Sequence, residues 1–168
     1  MPHKQTVAVI GASRPLGAFI AKAIAVHYHV LLMDHGKPAL ELLKTEIESA
    51  FQDVETDVVS CCKDASWEAD IIVVAVPADE QPIVAATMKE VATCKIIVNT
   101  ATSERCGDLQ KHLPYSRVVD VLINGFISGI PDNKAEVVVT GTDEEAVETA
   151  LFMMNVAGFT VTRQTNMA

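Results

Sequence analysis

A doubly wound α/β fold, with a mostly parallel sheet of about eight strands, is what the sequence predicts. Three observations carry this expectation. Short apolar runs alternate with amphipathic helical stretches from one end of the chain to the other. The runs are apolar on both faces, as strands covered by helices on either side must be. The first run, Thr6 to Ile10, passes through Gly11 and a short polar loop directly into a helix.

At 168 residues the chain is long enough to bury a full core. No Pro/Gly/Ser-rich linker, repeat or low-complexity tract divides it, so residues 1–168 are expected to form a single domain. The net charge at neutral pH is −9, and Lys and Arg are scattered, which argues against a nucleic-acid partner. No apolar run approaches the roughly 18 residues of a membrane span, and the first residues hold no secretory apolar core. A cytoplasmic protein with no membrane contact is the resulting expectation. The four cysteines, Cys61, Cys62, Cys94 and Cys106, have neither C-x-x-C nor zinc-finger spacing. Neighbours on a strand point to opposite faces, so Cys61 and Cys62 read as reduced structural thiols.

The elements follow in order. Pro15 stands at a first helical position, which suits proline. Leu16, Phe19, Ile20, Ala23 and Ile24 then fall at i, i+3, i+4, i+7 and i+8, one helical face. His29 to Met33 is a second strand ending at Asp34, and Gly36 and Pro38 mark the turn. Leu40, Leu43, Ile47 and Phe51 give the next helix a single apolar stripe. Asp57 to Cys61 reads as a short third strand, and Asp64 to Asp70 as a crossover of about one helical turn. Ile71 to Val76 is the most apolar strand, stopped by Pro77. Asp79 is placed to cap a helix in which Val84, Met88 and Val91 face inward, with Pro82 in its first turn.

Lys95 to Asn99 is the fifth strand, and the polar loop Thr100-Ala101-Thr102-Ser103 leads to a helix ending before Pro114. Arg117 to Ile123 is the sixth strand. Asn124 to Asn133, with Gly125, Gly129 and Pro131, reads as a loop, and Glu136 to Thr140 as a seventh strand. Thr142 and Glu145 read as the capping box of a last helix whose apolar face carries Val147, Ala150, Leu151 and Met154. Gly158 ends that helix, and Phe159 to Thr162 is a final short strand.

In such a sheet a ligand lies beyond the carboxyl ends of the strands, at the switch point between the first and fourth. The residues expected there are Gly11, Ala12, Ser13, Arg14, Pro15 and Leu16 from the first turn, and Asp34, His35 and Lys37 after the second strand. Ala75, Val76 and Pro77 come from the fourth strand, and Asn99 to Ser103, Thr100 among them, from the fifth. A helix start offers N–H groups and the positive end of its dipole to an anion, so a dinucleotide pyrophosphate is the expected ligand. Gly11 lets the strand turn tightly, and Gly17 lets the helix pack close to the sheet. The usual spacing is G-x-G-x-x-G; counted back from Gly17, the first two glycine positions hold Ala12 and Arg14. Pro15 has no N–H, so one donor to the pyrophosphate is absent.

Asp34 is placed to accept the ribose hydroxyls of an adenosine, which favours NAD because a carboxylate repels a 2′-phosphate. The other reading of Asp34 is a turn residue before Gly36. Arg14, His35 and Lys37 pull toward NADP, since each is able to pair with a 2′-phosphate; Arg14 also reads as a solvated loop residue. The cofactor is therefore NAD or NADP. No catalytic set stands out. Asn99, Thr100, Thr102 and Ser103 can reach a nicotinamide or a substrate, and equally read as loop and N-cap residues. Asn124 and Gly125 read as a turn, and His112 as a helix-terminal residue. There is no nucleophile elbow, and no metal motif is present.

Val7-Ala8-Val9-Ile10-Gly11, Leu16-Gly17, the stretch Ala69-Asp70-Ile71-Ile72-Val73-Val74-Ala75-Val76-Pro77, and Gly141-Thr142-Asp143-Glu144-Glu145-Ala146 together resemble the N-terminal half of the deazaflavin-dependent NADP oxidoreductases. They are also similar to prephenate dehydrogenases, within the wider 6-phosphogluconate-dehydrogenase-like group. The resemblance covers nearly the whole chain and implies a Rossmann-like domain that binds a nicotinamide dinucleotide. It implies contacts from Ala12, Ser13, Arg14, Leu16, Val76 and Pro77. The Gly-Ala-Ser-Arg opening also looks like that of short-chain dehydrogenases, but neither Tyr28 nor Tyr115 has a lysine four residues on. The His-Pro of prephenate dehydrogenases after the sixth strand is replaced near Asn124-Gly125, which argues against prephenate oxidation. Relatives continue into a helical domain at the point where this sequence stops.

The functional expectation is a stand-alone NAD(P)-binding protein of an oxidoreductase family. Its chemistry would be hydride transfer between nicotinamide and a second substrate near Val76 and Pro77. A homodimer is expected, a second subunit closing the site. The alternative is a non-catalytic nucleotide-sensing or partner-binding domain with lost or weakened cofactor binding, to which the altered glycine turn and Pro15 point.

Overall fold

Side chains on a buried strand alternate between two faces, so a sheet of such strands needs two cores. A computed structural model describes residues 4–102, 108–127 and 130–164, with the backbone alone at 127 and 130–134. The strands are β1 (Thr6–Ile10), β2 (His29–Met33), β3 (Thr56–Val58), β4 (Ile71–Val74), β5 (Ile96–Ala101), β6 (Arg117–Ile127), β7 (Ile130–Thr140) and β8 (Thr160–Gln164). The helices are α1 (Pro15–Ile24), α2 (Lys37–Ala50), α3 (Cys62–Glu68), α4 (Gln81–Met88), α5 (Leu109–His112) and α6 (Glu144–Val156). One sheet holds the strands in the order β3-β2-β1-β4-β5-β6-β7-β8. Only the β6–β7 pair is antiparallel. The expected doubly wound, mostly parallel, Rossmann-like sheet is therefore the fold.

Val7, Val9, Val30, Leu32, Val73 and Val98 face one core, closed by Ile20 and Ile24 of α1, Leu40, Leu43 and Ile47 of α2, and Val147, Met153 and Met154 of α6. Ala8, Ile10, Leu31, Ile72, Val74 and Ile97 face the other, closed by Ala65 of α3, Ala85 and Met88 of α4 and Leu109 of α5. No helix among the described residues is long and apolar enough to cross a membrane. Cys61, Cys62 and Cys94 are free thiols, and Cys106 lies outside the described residues.

Several elements differ from their sequence-based bounds. The third strand is Thr56–Val58, and Cys61 already stands at the N-cap of α3, so the crossover helix starts and ends earlier than the Asp64–Asp70 reading and exceeds a single turn. Strand β5 continues through Thr100 and Ala101, which pair with Val121 and Leu122, because β6 is long enough to supply partners. Within the stretch read as a loop, residues 124–127 are the end of β6 and residues 130–133 the start of β7. Gly125 has φ +86°, and the register shifts beside it: Asn124 pairs with Glu136 but Phe126 with Pro131, so the extra residues of the irregular stretch lie on β7. Glycine and proline here mark an irregular ladder rather than its end; Gly129 lies outside the described residues.

Two helix caps also differ. The N-cap of α6 is Asp143, whose carboxylate accepts the Ala146 N–H at 2.9 Å, so Thr142 and Glu145 do not form the cap. The N-cap of α4 is Glu80, with no side-chain capping bond, while Asp79 sits in the preceding turn. The Pro77 carbonyl accepts the Glu80 N–H at 3.0 Å, and this backbone turn takes the place of a carboxylate cap.

Candidate functional site

The strand order reverses between β1 and β4, and the turn from β1 to α1 lies at that break. The N–H groups of Gly11 and Ala12 both donate to the Met33 carbonyl, at 2.9 and 3.2 Å, which pins the turn over the end of β2. Gly11 has φ +92°, and a Cβ there would lie 2.7 Å from the Ala75 carbonyl oxygen. A Cβ at Gly17 would lie 2.2 Å from the Gly11 carbonyl oxygen. The first turn of α1 therefore rests directly on the backbone of the loop that precedes it. Arg14 is the N-cap, with no side-chain capping bond, and Pro15 is the first helical residue. Helix geometry leaves the N–H groups of Leu16 and Gly17 without intrahelical acceptors.

Asp34, just past β2, faces this turn. Its Oδ2 accepts the Ser13 hydroxyl at 2.5 Å and the Ser13 N–H at 3.3 Å, and its Oδ1 accepts the His35 N–H at 2.8 Å. Burial opposes ionisation of Asp34, but the Ser13 hydroxyl, the His35 and Ser13 N–H groups and the Arg14 guanidinium outweigh it and hold the carboxyl below its ordinary range. Asp34 thus joins the two loops that flank the switch point.

Arg14 crosses from the β1–α1 turn to the start of α4. Its Nη2 donates to Glu80 Oε2 at 2.6 Å, and its Nε lies 3.8 Å from Asp34 Oδ2. Beside this bridge lies an apolar cleft between the ends of β1, β2 and β4 and helix α4, lined by Ile10, Met33, Val76, Ile83 and Val84 together with Asp34 and Glu80. The Ala75 N–H donates to the Ile10 carbonyl at 2.8 Å, which fixes the post-β4 segment against β1.

A second polar group is buried under α4. Gln81 Nε2 donates to Asn99 Oδ1 at 2.8 Å, and Asn99 Nδ2 donates to Asp120 Oδ1 at 3.1 Å. Burial pushes the Asp120 carboxyl above its ordinary range; the Asn99 bond opposes this and Asp108 adds to it.

The structure brings together Gly11, Ala12, Ser13, Arg14, Pro15 and Leu16 with Asp34 and His35 and with Ala75, Val76 and Pro77 at one sheet edge. Thr100 stands apart: its buried hydroxyl donates to the Val74 carbonyl at 2.9 Å, inside the sheet. Asn99 is fully buried in the polar group under α4, Thr102 is exposed, and Ser103 lies outside the described residues. His29, at the opposite end of the strands, bonds Asp57 at 2.7 Å. His112 is in the last turn of α5, as expected. Glu80 was not singled out by the sequence, because nothing local ties it to Arg14; they meet only when α4 packs across the switch point. Among the described residues no group of three or more Cys, His, Asp or Glu side chains is placed to hold a metal ion.

No protein-family model and no curated protein matches the sequence. Solved structures do match in fold. An imine reductase from Bacillus cereus superposes with a TM-score of 0.76 at 15% identity, over 97% of this chain and 55% of its own. A protein described as an F420-dependent NADP reductase, from Arthrobacter, gives 0.68 at 19% identity, over 95% of this chain and 84% of its own. A pyrroline carboxylate reductase from Plasmodium falciparum, solved with NADP bound, gives 0.69 at 14% identity, over 98% of this chain. This chain spans 58% of the Plasmodium protein's length. At these identities the likeness establishes the fold alone, a Rossmann-like α/β sheet.

Proposed function

We propose that this chain binds a nicotinamide dinucleotide, NAD or NADP, across the switch point, as the cofactor-binding part of an oxidoreductase. The observation that carries the reading is the close approach of Gly17 to the Gly11 carbonyl. It sets the start of α1, with its N–H groups and positive dipole end, over the crevice where the strand order reverses. The apolar cleft beside Asp34 supports a flat adenine, and the Asp34 carboxylate supports a ribose contact. The reductases whose structures match in fold, one of them with NADP bound, support the same reading.

The proposed cofactor contacts are Gly11 to Leu16, Asp34, His35, Ala75, Val76 and Pro77. Hydride would pass between nicotinamide and a second substrate at the edge near Val76 and Pro77; the cofactor supplies the redox chemistry and the protein supplies position and electrostatics. We assign no catalytic acid or base. The protein is proposed to act in the cytoplasm, as one domain and as a homodimer in which a second copy covers the exposed edge at Pro77.

Calorimetric titration with NADH and NADPH tests the reading. Binding of at least one is expected; binding of neither at millimolar ligand overturns it. Cofactor binding without hydride transfer to a deazaflavin or an imine acceptor would assign the chain a sensing role instead. Sedimentation at micromolar concentration tests the dimer, and a monomer there overturns that part.

A further inference from the structure

We propose that Glu80 is a specificity-determining residue of the dinucleotide site: it engages the Arg14 guanidinium, withholds that cation from a ribose 2′-phosphate, and so favours NAD(H) over NADP(H). The assignment rests on the dinucleotide-binding reading of the same site.

Among the described residues Arg14 bridges the cleft, and its two ion-pair partners there are carboxylates. Glu80 Oε2 lies 2.6 Å from Nη2 and Asp34 Oδ2 lies 3.8 Å from Nε. The Asp34 side chain is 6% exposed and anchored by Ser13 and His35, so it stays with the turn. The Glu80 side chain is 40% exposed and has no second bond among the described contacts, so it is the displaceable partner. Two carboxylates against one guanidinium leave the cluster with one net negative charge. A phosphate entering beside Arg14 must displace Glu80 and still face Asp34, at short range and in a partly dry cleft. The neutral 2′-hydroxyl of NAD makes no such demand. Glu80 comes from α4 and Arg14 from the β1–α1 turn, so the discrimination is built between two elements rather than within the glycine loop.

The test is calorimetric titration of the wild type, Glu80→Gln, Arg14→Gln and the double variant with NADH and with NADPH at one fixed salt concentration. Glutamine keeps the shape of Glu80, and the melting temperature of each variant checks that it folds. Glu80→Gln is expected to raise NADPH affinity roughly tenfold, to leave NADH within about twofold, and to lose that gain when Arg14 is also replaced. An equal change for both nucleotides, or a gain that persists without Arg14, overturns the assignment. Should Lys37 or His35 hold the 2′-phosphate, Glu80→Gln would leave NADPH unchanged while NADH still binds, and Glu80 alone would lose its role. Binding of neither nucleotide by any of the four proteins overturns the dinucleotide reading and this assignment together.

Discussion

The α-carbon of Gly17 sits so near the Gly11 carbonyl that a Cβ there would lie 2.2 Å from that oxygen and 3.0 Å from the Ala12 Cα. Both neighbours are backbone, so neither can swing aside. This contact joins the strand, the turn and the helix of the proposed cofactor site into one rigid unit.

Gly17→Ala is therefore expected to destabilise the protein by at least about 3 kcal/mol, through displacement of α1 from the turn. Gly36→Ala is the control, since a Cβ there meets nothing nearer than Ala39 Cβ at 3.8 Å. Its effect should stay within about 0.5 kcal/mol. Urea denaturation of both variants measures the contrast, and equal losses would contradict it.

Asp34 is ionised more readily in the fold than in an open chain, so its contribution has a definite sign. A folded pKa below the unfolded one stabilises the protein above the unfolded carboxylate range, and that stability is lost as pH falls through the folded value. Asp34→Asn places an amide where two donors, Ser13 Oγ–H and His35 N–H, converge. A loss of about 1–2 kcal/mol is expected at neutral pH, shrinking toward zero in acid. Denaturation midpoints across pH check this; a loss independent of pH would show that the charge of Asp34 is irrelevant.

Asp120 has the opposite sign. Burial raises its pKa, so its contribution is fully present below the unfolded carboxylate range and declines as pH rises through the folded value. Asp120→Asn keeps an oxygen to accept the Asn99 amide and removes a half-buried charge. The variant should be up to about 1 kcal/mol more stable than wild type at neutral pH, with the advantage gone in acid. Melting curves at neutral and acidic pH decide it, and destabilisation at neutral pH would contradict it.

The cap of α6 gives a direct comparison of neighbours. Asp143→Ala removes the acceptor of the Ala146 N–H and one partner of Arg117, and should cost about 1 kcal/mol. Thr142→Ala should stay within about 0.5 kcal/mol, because Thr142 makes no capping bond. The same denaturation assay separates them, and a larger loss at Thr142 would restore the capping box.

The alternation of buried strands and amphipathic helices was legible in the sequence because side-chain period is a local property. Val7 to Ile10 and Ile71 to Val74 can be apolar on both faces only when helices cover both. The glycine turn and the end of β2 followed from the same logic, since strand ends and a right-handed winding place Gly11 and Asp34 at one edge. Local signals misled where the ladder is irregular. Gly125 and Pro131 carry the marks of a loop, yet pairing resumes beyond the register shift, at Phe126 with Pro131 and Ile127 with Ile130, because a ladder tolerates an irregular stretch that is paired on both sides.

By itself, then, the chain's sequence determined the fold class, the order of most elements and which loops meet at the switch point. It did so because periodicity and turn chemistry act between residues a few positions apart. Only the tertiary structure decided how that edge is wired: Ser13 on Asp34, Arg14 between Asp34 and Glu80, and Gln81, Asn99 and Asp120 in one chain of hydrogen bonds. These contacts join residues 18 to 66 positions apart. Their partners are chosen by how helices pack on the sheet, which no local pattern of residues records.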